Sequence, residues 1–140
     1  MDGFINFFTD GGARGNPGLA AIGVYITDSN NKEIVGFGKK IGVSTNNVAE
    51  YTAVIEALSW IVANKKNLNI AKIYFFLDSK LVCSQITGLY KVKDSKLRDL
   101  LLTVREKEAE VNTPIYYKHI PREQNKIADM YVNKALDNMV

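Results

Sequence analysis

The hydrophobic period of this chain first changes near residue 45, and that change restricts the fold more than any other feature. Before it, the pattern alternates. Phe4, Asn6, Phe8 and Asp10 fall on one face of an extended segment, and Ile5, Phe7 and Thr9 on the other, the two-residue repeat of a strand. The glycine-rich stretch 11–18 then predicts a loop. Residues 20–27 form a second strand, 28–31 a turn, and 33–41 a third strand. Short connections between three strands predict an antiparallel meander. Beyond residue 45, Val54, Ala57, Leu58, Ile61 and Val62 recur at helical spacing. Asn46 or Asn47 is placed to cap that helix.

The rest alternates between the two periods. Residues 73–78 read as a short aromatic strand, 79–87 as a helix stopped by Gly88, and 96–111 as a helix with Leu97, Leu100, Leu101 and Val104 on one face. A strand over 114–120 and a helix over 125–136 complete the order βββαβααβα. A meander followed by strand–helix alternation predicts an α/β fold, a mixed five-stranded sheet of antiparallel and parallel strands flanked by helices. At about 150 residues per domain, residues 1–140 make one domain.

Composition narrows the function classes. The single cysteine, Cys83, allows no internal disulfide, which fits a reducing, cytoplasmic setting. No apolar run approaches the roughly 18 residues of a membrane span, and the start carries no basic leader region. The net charge is +3. Four acids gathered in one pocket would leave the remaining body strongly basic, which suits a polyanionic partner.

Those four acids carry the chemistry. Asp10 and Asp78 each end a strand, and the carboxyl edge of an α/β sheet is where sites form. Glu50 lies on the core-facing stripe Glu50-Val54-Ala57-Ile61, where a carboxylate is costly unless paired, protonated or bound to a metal. Asp129 occupies a similar stripe, Asn125-Asp129-Val132-Leu136, near the start of the last helix. Taken singly, each acid also fits a strand end or a helix N-terminus. Taken jointly, four converging carboxylates require cations. Oxygen ligands without a histidine or cysteine cluster favour Mg²⁺ or Mn²⁺ over zinc. Two such ions about 4 Å apart suit phosphodiester hydrolysis.

The segments Phe8-Thr9-Asp10-Gly11-Gly12, Gly15-Asn16-Pro17-Gly18, Thr45-Asn46-Asn47-Val48-Ala49-Glu50, Leu77-Asp78-Ser79 and Asn125-Lys126-Ile127-Ala128-Asp129 resemble, in order, those of type 1 ribonuclease H. The resemblance spans nearly the whole chain. It implies the ribonuclease H-like fold and an endonuclease that cuts the RNA strand of an RNA/DNA hybrid, leaving 3′-hydroxyl and 5′-phosphate ends. It implies that Asp10, Glu50, Asp78 and Asp129 hold two Mg²⁺ ions, with Mn²⁺ as the alternative. Asn16, Asn46 and Asn47 would lie along the minor groove, where their amides suit a 2′-hydroxyl. Thr45 would touch a DNA phosphate. Gly11, Ser79 and Asn125 belong to the same substrate-binding set.

The chain departs from the better-known bacterial members in two places. No basic helical protrusion follows the third acid, because residues 88–94 run straight into the next helix. This resembles the short, handle-less branch shared with archaeal-type and reverse-transcriptase-like members, and Lys91, Lys93 and Lys96 would supply a weaker phosphate contact. The second departure is in the catalytic loop. His119 stands ten residues before Asp129, as the family's histidine does, yet it falls in a strand pattern. Arg122 in the loop proper is the preferred equivalent, acting electrostatically because arginine cannot serve as a base. A monomer with no obligate protein partner is the expectation. Three alternatives are a nucleotide binder built on residues 11–18, a non-catalytic hybrid-binding module, and another nuclease of the same superfamily. The first lacks the Gly-Lys-Ser/Thr ending of a phosphate loop.

Overall fold

A computed structural model describes residues 3–138. The elements follow the predicted order: β1 (Phe4–Arg14), β2 (Gly18–Asp28), β3 (Glu33–Ser44), α1 (Asn46–Asn64), β4 (Lys72–Leu77), α2 (Lys80–Ile86), α3 (Ser95–Val111), β5 (Ile115–His119) and α4 (Lys126–Leu136). Single 3-10 turns occur at Lys65–Asn67 and Arg122–Gln124. They build one five-stranded sheet in the order β3-β2-β1-β4-β5. β1 pairs antiparallel with β2 and parallel with β4, so the central strand joins the meander to the parallel half.

Alternation along the strands sorts the two faces. Ile5, Phe7, Ile22, Val24, Ile26, Ile73, Phe75 and Leu77 are buried in the same core as Val54, Ala57, Leu58 and Ile61 of α1. Phe7 stacks on Phe75 with ring centroids 5.1 Å apart. Burying a side chain of this size is worth about 2–3 kcal/mol. The opposite face takes α4 at close range. A side chain at Gly23 would overlap the Ala128 carbonyl, and one at Gly38 the Tyr131 carbonyl. Those glycines on β2 and β3 therefore decide where the last helix, with Asp129 on it, can lie. Among the described residues no helix is long and apolar enough to cross a membrane.

Three local expectations need correction. The glycine-rich stretch is not a loop throughout. β1 continues to Arg14 and pairs with β2 as far as Arg14 opposite Leu19, leaving a turn only at residues 15–17. Small residues tolerate a ladder as well as a turn, and β2 offers a full row of partners here. The cap of α1 is neither Asn46 nor Asn47 but Thr45, whose Oγ1 accepts the Val48 N–H at 3.2 Å. Asp129 does not face the core: it is exposed, because α4 turns Ala128 and Val132, not Asp129, toward the sheet.

Candidate metal centre

Asp10 and Asp78 reach the site from adjacent parallel strands. Their pairing ends at Thr9 opposite Leu77, so the next residue of each chain leaves the ladder at the same level. Asp10 thus lies within β1, at the point where β4 stops, rather than at the end of its own strand.

Glu50 comes from the opposite side, in the first turns of α1. Gly11 makes that approach possible. A side chain there would overlap the backbone of Ala49, and the Gly11 N–H donates to Glu50 Oε1 at 2.9 Å. Carboxylate oxygens of Asp10, Glu50 and Asp78 lie within 4.8 Å of one another. Asp129 lines the same cleft from α4 but stands outside that tight triad.

Burial makes this charge density expensive. Asp10 is 7 % and Glu50 5 % exposed. Burial, with the charges of Asp78 and Asp129 adding to it, raises Asp10 from 3.8 to about 7, against a smaller opposing effect of its contact with Glu50. Burial also pushes Glu50 well above the ordinary carboxylate range, and the neighbouring Asp10 adds to it. Glu50 Oε2 is buried with no hydrogen-bond partner among the described residues. Ionised carboxylates beside it can only accept, so a proton or a cation is what would satisfy this oxygen within the cluster. The residues therefore fit a hard divalent ion held by oxygen ligands.

The remaining candidates divide. Gly11, Asn46, Asn47, Ser79 and Arg122 line the acid cleft together with the four acids. Arg122 reaches it from the 3-10 turn after β5. His119 is the exposed last residue of β5, opposite Leu77, and does not line this cleft. Asn16, Thr45 and Asn47 border a neighbouring hollow with Lys96. Asn16 Oδ1 accepts the Asn46 N–H at 3.0 Å, and Asn46 Oδ1 accepts the Ala13 N–H at 2.9 Å. Both exposed amides are thereby held by their oxygens, which leaves their NH₂ groups as donors. Ser79 caps α2 by accepting the Val82 N–H at 3.2 Å. Asn125 is not at the surface: it is 1 % exposed, with its NH₂ on Asp78 and on the Thr9 carbonyl. It stands at the N-cap of α4, one residue before the helix, and on the inward stripe read from the sequence; its bond to Asp78 is what the sequence does not show. The available signal was its position one turn ahead of Asp129. No helical insertion separates α2 from α3.

Residues 8–135 match the reverse transcriptase-like family. The bifunctional protein Rv2228c of Mycobacterium tuberculosis is 36% identical over 129 residues, which is 91% of this chain and 34% of that protein. The chain thus spans about a third of the length of that relative. Ribonuclease HI of Halobacterium salinarum is 35% identical over 136 residues, 97% of this chain and 66% of that protein. The crystal structure of LC11-RNase H1 in complex with an RNA/DNA hybrid superposes with a TM-score of 0.91 at 40% identity, covering 96% of this chain and 97% of that one. By fold, by motif order and by similarity along nearly its full length, the chain belongs to the reverse transcriptase-like family and, within it, to the type 1 ribonuclease H group.

Proposed function

We propose that this chain is a metal-dependent endonuclease that hydrolyses the RNA strand of RNA/DNA hybrids, leaving 3′-hydroxyl and 5′-phosphate ends. The observation that carries the reading is the buried triad of Asp10, Glu50 and Asp78, with one Glu50 oxygen left unsatisfied. Similarity to a ribonuclease H1 solved with an RNA/DNA hybrid supports the substrate.

Asp10, Glu50, Asp78 and Asp129 would hold two Mg²⁺ ions, or Mn²⁺ in their place. When bound, such a pair supplies an activated water and stabilises the leaving oxygen of a phosphodiester. The chain's own groups prepare that event. The Gly11 N–H fixes the orientation of Glu50. Arg122 adds a fixed positive charge at the cleft, facing the phosphate that enters it. We assign the loop role to Arg122 rather than His119 because Arg122 lines the acid cleft. Asn16, Asn46 and Asn47 offer amide donors for 2′-hydroxyls and base edges, which distinguishes a hybrid from duplex DNA. Thr45, Gly11 and Ser79 border the path of the strands, with the Thr45 hydroxyl and Lys96 near a DNA phosphate. In this reading the protein acts as a cytoplasmic monomer; its single, buried, free cysteine fits the reducing setting.

The test is cleavage of an end-labelled hybrid with Mg²⁺ and with chelator, followed by ligation of the products. Ribonuclease H activity gives Mg²⁺-dependent RNA fragments whose 5′ ends ligate without prior phosphorylation. Cleavage that persists in chelator, or fragments with 5′-hydroxyl ends, would contradict it.

A further inference from the structure

We propose that Asn125 is a positioning residue, a clamp that holds the acid cluster in its metal-binding shape. The inference rests on reading the cluster as a metal centre. Asn125 is 1 % exposed, so its side chain does not reach a bound hybrid. Its Nδ2 donates to the Thr9 carbonyl at 2.9 Å and to Asp78 Oδ2 at 3.0 Å. Both partners are acceptors, so only the NH₂ end of the amide can serve them and its orientation is fixed. Thr9 immediately precedes Asp10. The Asn125 backbone carbonyl in turn accepts the Asp129 N–H at 3.2 Å, opening the helical turn that carries the fourth acid. One residue therefore ties together the three segments that bear Asp10, Asp78 and Asp129.

Two omissions separate this arrangement from ordinary structural use of asparagine. Asn125 occupies the N-cap position of α4, where an asparagine side chain normally accepts a first-turn N–H, yet it makes no cap bond. Its Oδ1 is also buried without a partner among the described residues. Both acceptor opportunities are given up to aim the NH₂ at Asp78. The consequence is electrostatic. Asp78 is half-buried beside two acids, whose like charges disfavour holding its carboxylate there. A hydrogen bond on Oδ2 opposes that repulsion and fixes the carboxylate's orientation beside Asp10 and Glu50. Outer contacts of this kind typically change metal affinity or activity by about 10–100-fold when removed.

The experiment compares the parent chain with Asn125→Ala and Asn125→Ser. Serine can cap α4 but is too short to reach both Thr9 and Asp78, so it separates a helix-stabilising role from a clamping one. Three measurements are made on each protein: melting in chelator, the melting-temperature rise on titration with Mn²⁺ and Mg²⁺, and kcat and KM on a labelled hybrid. For Asn125→Ser the clamp predicts a metal-free melt lowered by a few degrees, from the two lost hydrogen bonds, with a single cooperative transition. It also predicts a rise of about fivefold or more in the half-saturating Mn²⁺ concentration, and a fall in kcat of about tenfold or more with KM within about twofold. If KM rises and kcat is kept, Asn125 is a substrate contact and the proposal is overturned. Variants that bind Mn²⁺ as tightly as a metal-binding parent overturn the clamp alone. A parent that neither gains stability from metal nor cleaves the hybrid overturns the metal centre, and the clamp with it.

Discussion

Replacing Asp10 by Asn should make the metal-free protein more stable at neutral and alkaline pH, although it destroys the proposed activity. Asp10 is raised from 3.8 to about 7 by burial and by the charges of Asp78 and Asp129. The folded state therefore binds more protons than the unfolded state between about pH 4 and 7. Stability then falls as pH rises through that window. At about 1.4 kcal/mol for each tenfold change in proton affinity, ionising Asp10 costs the fold at most about 4 kcal/mol at pH 8. An asparagine removes the charge, keeps the shape and brings an NH₂ group toward Glu50 Oε2, which has no partner. Taking half the ceiling as realised, the variant gains about 2 kcal/mol, or about 6 °C in melting temperature for a chain of this size. At pH 4 the two proteins should melt together, because Asp10 is then protonated in the folded parent. Millimolar Mg²⁺ should stabilise the parent more than the variant, since binding stabilises only the state that binds. Thermal melts in chelator and in Mg²⁺ across pH 4–8 measure all of this. A variant less stable than the parent at pH 8 in chelator, or an equal response of both proteins to Mg²⁺, refutes the reasoning.

Gly11→Ala should lose about 2–3 kcal/mol in urea denaturation, because the added methyl overlaps the backbone of Ala49 on α1. A loss below 1 kcal/mol would mean that α1 can move away. Arg122→Ala should lower kcat more than His119→Ala at equal folded content, since only Arg122 lines the acid cleft; the reverse order would return the loop role to His119. Replacing Asn16, Asn46 and Asn47 together by Ala should raise KM for the hybrid about tenfold or more. The same triple variant should lose only about 1–2 kcal/mol of stability, from two hydrogen bonds to backbone N–H groups; unchanged kcat/KM would remove these residues from the substrate path.

Much of this was legible in the sequence because strand and helix impose different periods on apolar residues. The switch after the meander placed Glu50 on α1, and the aromatic strand ending at Leu77 placed Asp78 beside Asp10. What stayed hidden depended on partners remote in sequence. β1 runs past Asp10 to Arg14 because β2 supplies a ladder there, and no local pattern of glycines reveals that. Thr45 rather than Asn46 caps α1, although threonine is itself a strong capping residue and a reading one position earlier would have found it. The exposure of Asp129 follows from where glycines on β2 and β3 let α4 lie. The stripe Asn125-Asp129-Val132-Leu136 points Asn125 inward, but its partners are not local: the bonds to Thr9 and Asp78 span 116 and 47 residues.

The most direct test of the central claim is cleavage of one nucleotide sequence presented three ways: as RNA/DNA hybrid, as double-stranded RNA and as duplex DNA, with Mg²⁺ and with chelator. The account predicts Mg²⁺-dependent cutting of the RNA strand of the hybrid, no cutting of duplex DNA, and loss of hybrid cleavage in Asp10→Asn. Cutting of duplex DNA at a comparable rate, or hybrid cleavage that survives Asp10→Asn, would contradict it.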